Sequence, residues 1–306
     1  MYLSDVVKEF SGELICDAQF ETLEYCTSTL KIPFLTFMEN SKFIEKISKY
    51  AVCIFCKKEL LEKLPKSVKG IFATENPKEL FHAVHNMLSE QDGYRVALFD
   101  SKIGNECQIS PQAVIAPHNV ILGDRVVIED NVIINDNVQI GNDCIIHSGV
   151  VIGGKAFTFA RASEKKILGL NDLGCVVLKD RVEVFSMTHI AKGILPTDVT
   201  LLDDDVKVDA LVHIGHGAKI GKRTMVAAGA VIGGNTVIGE DSWVGINATI
   251  SNRLIVGNNA RVSLGSVVTK NVEDNKTVTG NFAIEHGKFI EKLKEDVARM
   301  EIRDGI

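Results

Sequence analysis

The residue best suited to chemistry is His216, in the segment DALVHIGHGAKIG at residues 209–221. An imidazole with a pKa near 6.5 can accept a proton at neutral pH, as a general base must. Gly234 and Asn252 follow His216 along the chain at equal spacing. We take His216 as the candidate catalytic residue, on condition that the fold holds its ring towards a groove and not in a dry core.

The element that positions this histidine is a hexad repeat. An aliphatic residue recurs at every sixth position from Leu202 to Val268, and an earlier series runs from Ile103 to Ile152 with one extra residue after Ile115. This period fits neither an amphipathic helix nor a simple hairpin sheet. It predicts a mainly β fold, a left-handed parallel β-helix (hexapeptide repeat) in which three hexads complete a triangular coil. The next coil then stacks about 4.8 Å above.

The hexad also predicts the turns. A small residue usually follows the aliphatic one, and we expect it at the turn, where glycine tolerates unusual φ and lets coils approach. Such small residues are Gly215, Gly221, Ala227, Gly233, Gly239, Gly245 and Gly257. Since three hexads make one coil, Gly234 and Asn252 should lie in line with His216 on one outward-facing edge. The repeat lapses at 157–179 and 195–200, where loops of the kind that carry function are expected.

The first 100 residues lack hexads and predict a separate α/β domain. Residues 51–56 and 70–73 indicate short buried strands, and residues 76–88 a helix. Cys53 and Cys56 form a CxxC spacing, but no second pair of ligands follows, which favours buried thiols over a redox or zinc site.

The last residues predict a helix. Its apolar stripe consists of Phe289, Leu293, Val297 and Met300 and should pack on the β-helix or on copies of the same chain. The sequence thus divides into a domain at 1–100, a β-helix at 101–279 and a helical extension at 280–306.

Composition excludes several classes of function. The formal charge of −6, with mixed signs throughout, gives no positive field for phosphate backbones, so we expect no nucleic-acid partner. Seven scattered cysteines suit reduced thiols better than disulfides. The chain has no run of about 18 apolar residues, and its first residues do not form a basic region followed by an apolar stretch. We therefore expect a cytoplasmic protein without a membrane span.

Four segments, in order, resemble the UDP-3-O-acylglucosamine N-acyltransferase family. They are TFMENSKF at 36–43, GGKAFTFA at 153–160, KDRVEV with Thr188 and Gly193 after it, and DALVHIGHGAKIG at 209–221. The resemblance implies a homotrimer that transfers an acyl chain from acyl carrier protein to the amine of a UDP-linked sugar. It places the family's catalytic histidine on His216.

The resemblance also implies a uridine-binding segment at Phe37, Asn40 and Phe43. Phe37 could stack on uracil, and Asn40 could hydrogen-bond its polar edge because an amide offers a donor and an acceptor. Phe157 and Phe159 belong to an aromatic loop expected near the active site.

Amide formation requires a sugar ammonium to lose a proton before its nitrogen attacks a thioester, and His216 can accept that proton. A thioester needs no metal to be attacked, so we expect no metal and no permanently bound cofactor; the donor itself carries phosphopantetheine. Gly234 and Asn252 would line the groove for this arm, and the Gly234 N–H is the candidate oxyanion donor. His213, His189 and His147 are interpreted as surface or packing residues.

The sequence departs from the family at several positions. Phe43 replaces a tyrosine, Lys155 an aspartate, and Arg253 a second family histidine, while Asp-Arg-Gly becomes Ala-Lys-Gly at 191–193. These changes leave the sugar and the acyl chain open.

Two other functions therefore stay in view. Residues 262–283 resemble the end of acetyl-CoA-dependent hexapeptide acetyltransferases, which favours acetyl-CoA or a short acyl-CoA as donor for another surface glycan. A paralogue without catalysis that only binds sugar or assembles is the other alternative. Zinc-dependent hydration, as in γ-type carbonic anhydrases, is disfavoured because His213 and His216 lack the spacing and third histidine of that site.

Overall fold

The computed structural model describes residues 1–162, 166–280, 283 and 285–304, with side chains in the last helix described to residue 297. Asn281 and Phe282 of the acetyltransferase-like ending, and the side chain of Met300, lie outside this description.

The first part of the chain forms a five-stranded sheet with helices. The elements are α1 (Leu3–Val7), β1 (Glu13–Cys16), β2 (Thr22–Leu23), β3 (Phe34–Met38), a 3-10 helix (Ser41–Lys46), β4 (Ala51–Cys56), a second 3-10 helix (Lys58–Lys63), β5 (Gly70–Ala73) and α2 (Pro77–Leu88). The strand order of the sheet is β1-β5-β4-β3-β2, with β1 antiparallel to β5 and the other neighbours parallel. Both predicted strands, at 51–56 and 70–73, are confirmed. Cys53 and Cys56 are fully buried, and burial raises the pKa of their thiols to about 12 and about 11.

The predicted parallel β-helix is confirmed, with three sheets along its faces. The first sheet contains β6 (Lys102–Ile103), β9 (Val120–Leu122), β12 (Val138–Ile140), β17 (Cys175–Leu178), β20 (Val199–Leu202), β23 (Lys219–Ile220), β26 (Val237–Ile238) and β29 (Ile255–Val256). The second contains β7 (Gln108–Ile109), β10 (Val127–Ile128), β13 (Ile145–Ile146), β18 (Glu183–Val184), β21 (Lys207–Val208), β24 (Met225–Val226), β27 (Trp243–Val244), β30 (Arg261–Val262) and β32 (Thr277–Val278). The third contains β8 (Val114–Ile115), β11 (Ile133–Ile134), β14 (Val151–Gly154), β19 (His189–Ala191), β22 (His213–Ile214), β25 (Val231–Ile232), β28 (Thr249–Ile250) and β31 (Val267–Val268).

The repeating aliphatic residues fill the axis of this β-helix. From Leu122 to Val262 they belong to one core and are at most 2% exposed. The first coil differs, because Ile103 is 54% exposed and Ile109 and Ile115 are only partly buried. These residues belong to the first coil, whose strands each pair with a strand of the second coil on one side.

The predicted role of the small residue is right in one respect and wrong in the other. From Leu202 to Val268 the positive φ values lie three residues after the aliphatic position, as at Asn235 (58°) and Arg253 (61°), and not at the small residue. Gly215 and Gly221 are instead needed for close approach, since a Cβ there would lie 2.6 and 2.7 Å from backbone nitrogens of the next coil. Coil stacking, not turn conformation, fixes glycine at this position.

Two corners of the β-helix matter below. The ionic corner joins the first sheet to the second and includes residues 123–126, 141–144, 179–182, 203–206, 221–224 and 239–242. The histidine corner joins the third sheet to the first and includes residues 215–218, 233–236 and 251–254. Strands on either side of both corners pair with the equivalent strand of the next coil, as Lys219 does with Val237, so equivalent residues form columns.

The interruptions of the repeat attach the two parts of the chain to each other. Leu195 is fully buried in the core of the N-terminal sheet. The ring of His85 bonds to the Tyr94 hydroxyl at Nδ1 (2.9 Å) and to the Asn171 carbonyl at Nε2 (2.8 Å). The 195–200 loop therefore has a packing role in addition to any functional one.

The remaining elements are a hairpin and a helix. The hairpin pairs β15 (Phe159–Arg161) with β16 (Ile167–Gly169), and the helix is α3 (His286–Asp304). Phe289, Leu293 and Val297 are about half exposed on α3, and what packs on this stripe stays a prediction. Among the described residues, no helix combines the length and apolar character that a bilayer crossing requires.

Candidate active site

His216 lies at the histidine corner outside the axial core, as the hexad predicts. Its ring is half-buried and packs against the next coil at Gly234, where an added Cβ would lie only 2.6 Å from Nε2 of His216. The predicted column of His216 and Gly234 is thus present. The imidazole fits here because Gly234 has no side chain.

The Nδ1 atom of His216 is buried and has no hydrogen-bond partner among the described residues. Buried polar atoms are satisfied in the great majority of cases, and exceptions often have functional reasons. An unsatisfied ring nitrogen is consistent with a group that is completed only when a ligand or another chain binds.

The electrostatic setting keeps this imidazole neutral. Burial lowers the pKa of His216, and the nearby positive charge of Arg253 and, to a smaller degree, His213 lower it further. A histidine acts as a base only in its neutral form. The environment therefore favours the form that can accept a proton near pH 7.

The backbone at this corner has free donors. Neither the N–H of His216 nor that of Gly234 donates a hydrogen bond to any residue that the structure describes. Backbone N–H groups of this kind can stabilise a developing oxyanion. The candidate donor at Gly234 thus has its N–H uncommitted, and His216 adds a second N–H that sequence reasoning missed.

Arg253 links this corner to the N-terminal part of the chain. Its N–H donates to the Gly234 carbonyl (2.9 Å), and its guanidinium carbon lies 5.4 Å from the centre of the Tyr25 ring. Tyr25 in turn packs edge-on against Phe37, with ring centres 6.4 Å apart. The predicted catalytic column and the predicted uridine-binding segment are therefore connected through two side chains.

The three predicted nucleotide-binding residues occupy different surroundings. Phe37 is partly buried and packs on Phe81, with ring centres 5.0 Å apart. The Asn40 side chain caps the following 3-10 helix by accepting from the Lys42 N–H (3.0 Å). Phe43 is 42% exposed. Their role in binding a nucleotide stays a prediction.

The aromatic loop is open to solvent. Phe157 and Phe159 are 93% and 51% exposed, and their rings contact each other edge-on with centres 4.9 Å apart. Whether they border the active site stays a prediction.

The other histidines have partners of their own. His189 and His213 stack in parallel in adjacent coils, with ring centres 5.2 Å apart. His147 lies between Glu129 (2.9 Å) and Glu183 (3.1 Å). Within the described residues, no three His, Cys, Asp or Glu side chains are placed to hold a metal ion.

Lys192 lies one coil before His216, and the sequence marks it only as a departure from the Asp-Arg-Gly motif of the family. Lys192 occupies, in the preceding coil, the position equivalent to that of His216. It is 8% exposed and forms an ion pair with Asp136 (Nζ to Oδ1, 2.5 Å). The change from Asp-Arg-Gly to Ala-Lys-Gly at 191–193 is the sequence feature that marks this residue. It does not predict the ion pair, because Asp136 lies far earlier in the chain.

Two clefts lie away from His216. One of about 700 Å³ is lined by the segment that joins β5 to α2, including Thr74 and Asn76, and by residues of α2 such as Leu80. The other, of about 530 Å³, lies between residues 89–98 and the β-helix and includes Asp136. Neither of these two clefts is lined by a residue predicted for the site.

The three parallel sheets and the six-residue repeat define the class of fold, a hexapeptide-repeat β-helix. Residues 119–154 and 200–234 match the family described as bacterial transferase hexapeptide (six repeats), and the second range contains both His216 and Gly234. The resemblance to hexapeptide-repeat acyltransferases is thereby confirmed.

Solved structures support the same fold. The Bacteroides fragilis UDP-N-acetylglucosamine acyltransferase aligns with a TM-score of 0.51 and 23% identity, over 56% of this chain and 64% of that one. The Campylobacter jejuni UDP-N-acetylglucosamine acyltransferase aligns with a TM-score of 0.53 and 21% identity, over 59% and 68%. At these identities the likeness establishes the fold alone.

Sequence relatives carry the name expected from the motifs. The UDP-3-O-acylglucosamine N-acyltransferase of Saccharophagus degradans is 43% identical over 86 residues, or 28% of this chain and 24% of that protein. The protein of the same name from Porphyromonas gingivalis is 39% identical over 85 residues, or 28% and 24%. The matched part of the chain spans about a quarter of the length of these relatives.

Proposed function

We propose that this protein is an N-acyltransferase that moves an acyl group from an acyl-carrier-protein thioester to the amine of a nucleotide-linked amino sugar of the UDP-3-O-acylglucosamine type. A homotrimeric assembly and a cytoplasmic location belong to the same proposal. The observation that carries it is the packing of half-buried His216, whose pKa is lowered by burial, on Gly234, inside the repeats that match bacterial transferases.

The chemistry requires proton transfer in both directions. His216 takes one proton from the sugar ammonium and passes it to solvent, and the freed nitrogen then attacks the thioester carbonyl to form a C–N bond. The attached nitrogen still carries two hydrogens, and His216 accepts one of them, so that a neutral amide can form. The resulting oxyanion accepts hydrogen bonds from the N–H groups of His216 and Gly234. When the C–S bond breaks, the imidazolium returns a proton to the departing thiolate.

The arrangement of the chain supports a nucleotide near this corner. Phe37 and Tyr25 bring an aromatic surface of the N-terminal sheet towards Arg253 at the histidine corner. A base stacked on Phe37, held further by Asn40 and Phe43, would extend its diphosphate towards the β-helix. Asn252 lies next to Arg253 and, with Gly234, would line the path of the donor's phosphopantetheine arm.

The test is a product analysis with a matched pair of variants. Wild-type protein is incubated with UDP-linked amino sugars and either hydroxyacyl-acyl carrier protein or acetyl-CoA, and products are identified by mass spectrometry. His216→Ala should reduce turnover by about 10²- to 10⁴-fold, the usual contribution of a general base. His147→Ala, which removes an imidazole from another corner, should retain turnover.

The outcomes separate the alternatives. Product from acetyl-CoA alone would replace the donor with a short acyl-CoA. No product from any thioester would contradict catalysis and favour a binding or assembly protein. Retained turnover in a folded His216→Ala variant would remove the general base while leaving acyl transfer in place.

A further inference from the structure

Four arginines lie at left-handed corner positions of the β-helix, and one of them is different. Arg125, Arg181, Arg223 and Arg253 have φ values of 57°, 58°, 57° and 61°. In the first three, Nε and Nη2 each bond to one oxygen of an aspartate in the next coil, at 2.6–2.9 Å. A bidentate carboxylate is the partner that guanidinium geometry favours.

Arg253 has no such partner. Residues 269–271 in the coil after it are Thr, Lys and Asn, so no carboxylate stands above it. No ion pair joins Arg253 to any residue that the structure describes. The same backbone conformation that serves bidentate ion pairs elsewhere thus leaves a guanidinium without an ion-pair partner at the histidine corner, where its charge acts on His216.

The position of this guanidinium is fixed from two sides. The Arg253 N–H is bonded to Gly234, whose α-carbon supports the His216 ring. The guanidinium itself lies over the face of Tyr25, a contact that attracts a cation without using its N–H donors. Its donors therefore remain available to an anion at the junction of the N-terminal sheet and the histidine corner.

We propose that Arg253 binds a phosphate group of a substrate next to His216. The inference rests on the proposed function, because both substrates of that reaction carry phosphate: the diphosphate of the nucleotide sugar and the phosphate of the pantetheine arm. Arg253 contacts Tyr25, which contacts Phe37 of the proposed nucleotide site, so a nucleotide diphosphate would lie near the guanidinium. Asn252, which would line the path of the pantetheine arm, directly precedes Arg253 in the chain, so the phosphate of that arm would lie near it as well. The ligand chemistry is the same for both, namely a phosphate oxyanion held by a forked guanidinium.

The experiment measures phosphate-dependent affinity by isothermal titration calorimetry on the full chain. Wild-type, Arg253→Gln, Arg253→Lys and Arg223→Gln proteins are titrated with UDP and uridine, and with coenzyme A and pantetheine. Each pair differs by the phosphate-containing part, so uridine and pantetheine report the binding that Arg253 does not influence. Arg223→Gln is the matched control, because it removes an arginine of the same conformation from the ionic corner.

We expect Arg253→Gln to weaken binding of UDP, coenzyme A, or both by about tenfold to a hundredfold, the usual effect of losing a charge-assisted contact. Binding of uridine and pantetheine should not change, Arg223→Gln should behave as wild type, and Arg253→Lys should lose less than Arg253→Gln. A loss confined to UDP assigns the phosphate to the nucleotide, and a loss confined to coenzyme A assigns it to the acyl donor.

Unchanged affinities in Arg253→Gln would overturn the inference and leave the proposed function standing. Equal losses for UDP and uridine, and for coenzyme A and pantetheine, would also overturn it, because they would indicate a general disturbance of the junction. Wild-type protein that binds neither UDP nor coenzyme A would overturn it together with the proposed function.

Discussion

The ionic corner and the histidine corner are built from the same hexads, yet their polar groups are arranged in opposite ways. At the ionic corner the N–H groups of Asp124 and Asn142 donate to side-chain oxygens of the next coil, at Asn142 (2.9 Å) and Asp180 (2.8 Å). At the histidine corner the equivalent N–H groups belong to His216 and Gly234 and have no partner among the described residues.

The charges differ in the same sense. Arginine and aspartate alternate along the ionic corner, whereas the histidine corner presents one neutral imidazole and the unpaired Arg253. Because both corners have the same backbone geometry, this contrast is a property of the side chains and not of the fold. A corner that satisfies its own polar groups stabilises the coil; a corner that leaves them unsatisfied is available to a ligand.

Among the changes that compare the two corners, the largest effect is expected from replacing a glycine by alanine at the histidine corner. In Gly234→Ala the new Cβ meets the His216 ring, 2.6 Å from Nε2, and displaces it. We expect turnover to fall by roughly a hundredfold, the order of loss from displacing a catalytic group by about 1 Å, while the unfolding temperature stays close to that of wild type.

The matched change is Gly221→Ala at the ionic corner. Its Cβ would lie 2.7 Å from the backbone nitrogen of Glu240, which can move only with its coil. We expect this variant to lose about 1–3 kcal/mol of stability from overpacking and to keep its turnover per folded molecule. Calorimetry and turnover assays on both variants check the pair, and equal effects on both quantities would contradict the distinction between the corners.

The sequence predicted the coil and the histidine column because both depend on periodicity alone. Once the aliphatic residue recurs at every sixth position and three hexads make a coil, the alignment of His216 with Gly234 follows without knowledge of any loop. Arg253 could be seen only as a departure from a family motif. Its contact with Tyr25 depends on how the N-terminal sheet docks, and that docking depends on contacts of irregular segments, such as the burial of Leu195 and the bond between His85 and Asn171.

The turn conformation was mispredicted for a related reason. Glycine is so common beside the aliphatic residue that it suggests positive φ there. The structure places positive φ two residues later and fills it with Asn, Asp and Arg as well as Gly. Local composition alone does not separate a glycine needed for φ from one needed for contact with a neighbouring coil.

A second, smaller effect concerns pH. Burial, then Arg253, then His213 lower the pKa of His216, so the imidazole stays neutral to a lower pH than usual. The acid limb of kcat/KM, which reports the free enzyme, should therefore lie below pH 6.5. Arg253→Gln removes one of the lowering charges and should move this limb to higher pH.

The control for the pH profile is Arg223→Gln, which changes the charge by the same amount at the ionic corner and should leave the acid limb where it is. His213, which stacks on His189, also lowers the pKa of His216, to a smaller degree than Arg253. The profile is therefore also recorded for His213→Gln, where a smaller upward shift is expected. An acid limb that does not move in Arg253→Gln would show that Arg253 does not influence the base.

The smallest expected effect is on stability, and here Arg223 matters more than Arg253. Arg223 bonds to Asp241 at 2.6 and 2.7 Å and to Glu240 at 3.3 Å, so Arg223→Gln should lower the unfolding temperature slightly. Arg253→Gln loses no ion pair and should leave it nearly unchanged. Because exposed ion pairs are screened by salt, with a Debye length of about 10 Å at 0.1 M and 3 Å at 1 M, the loss in Arg223→Gln should shrink as sodium chloride is raised. Thermal unfolding followed by circular dichroism at the two salt concentrations measures this, and a salt-sensitive loss in Arg253→Gln equal to that in Arg223→Gln would mean that Arg253 already has a carboxylate partner within the protein.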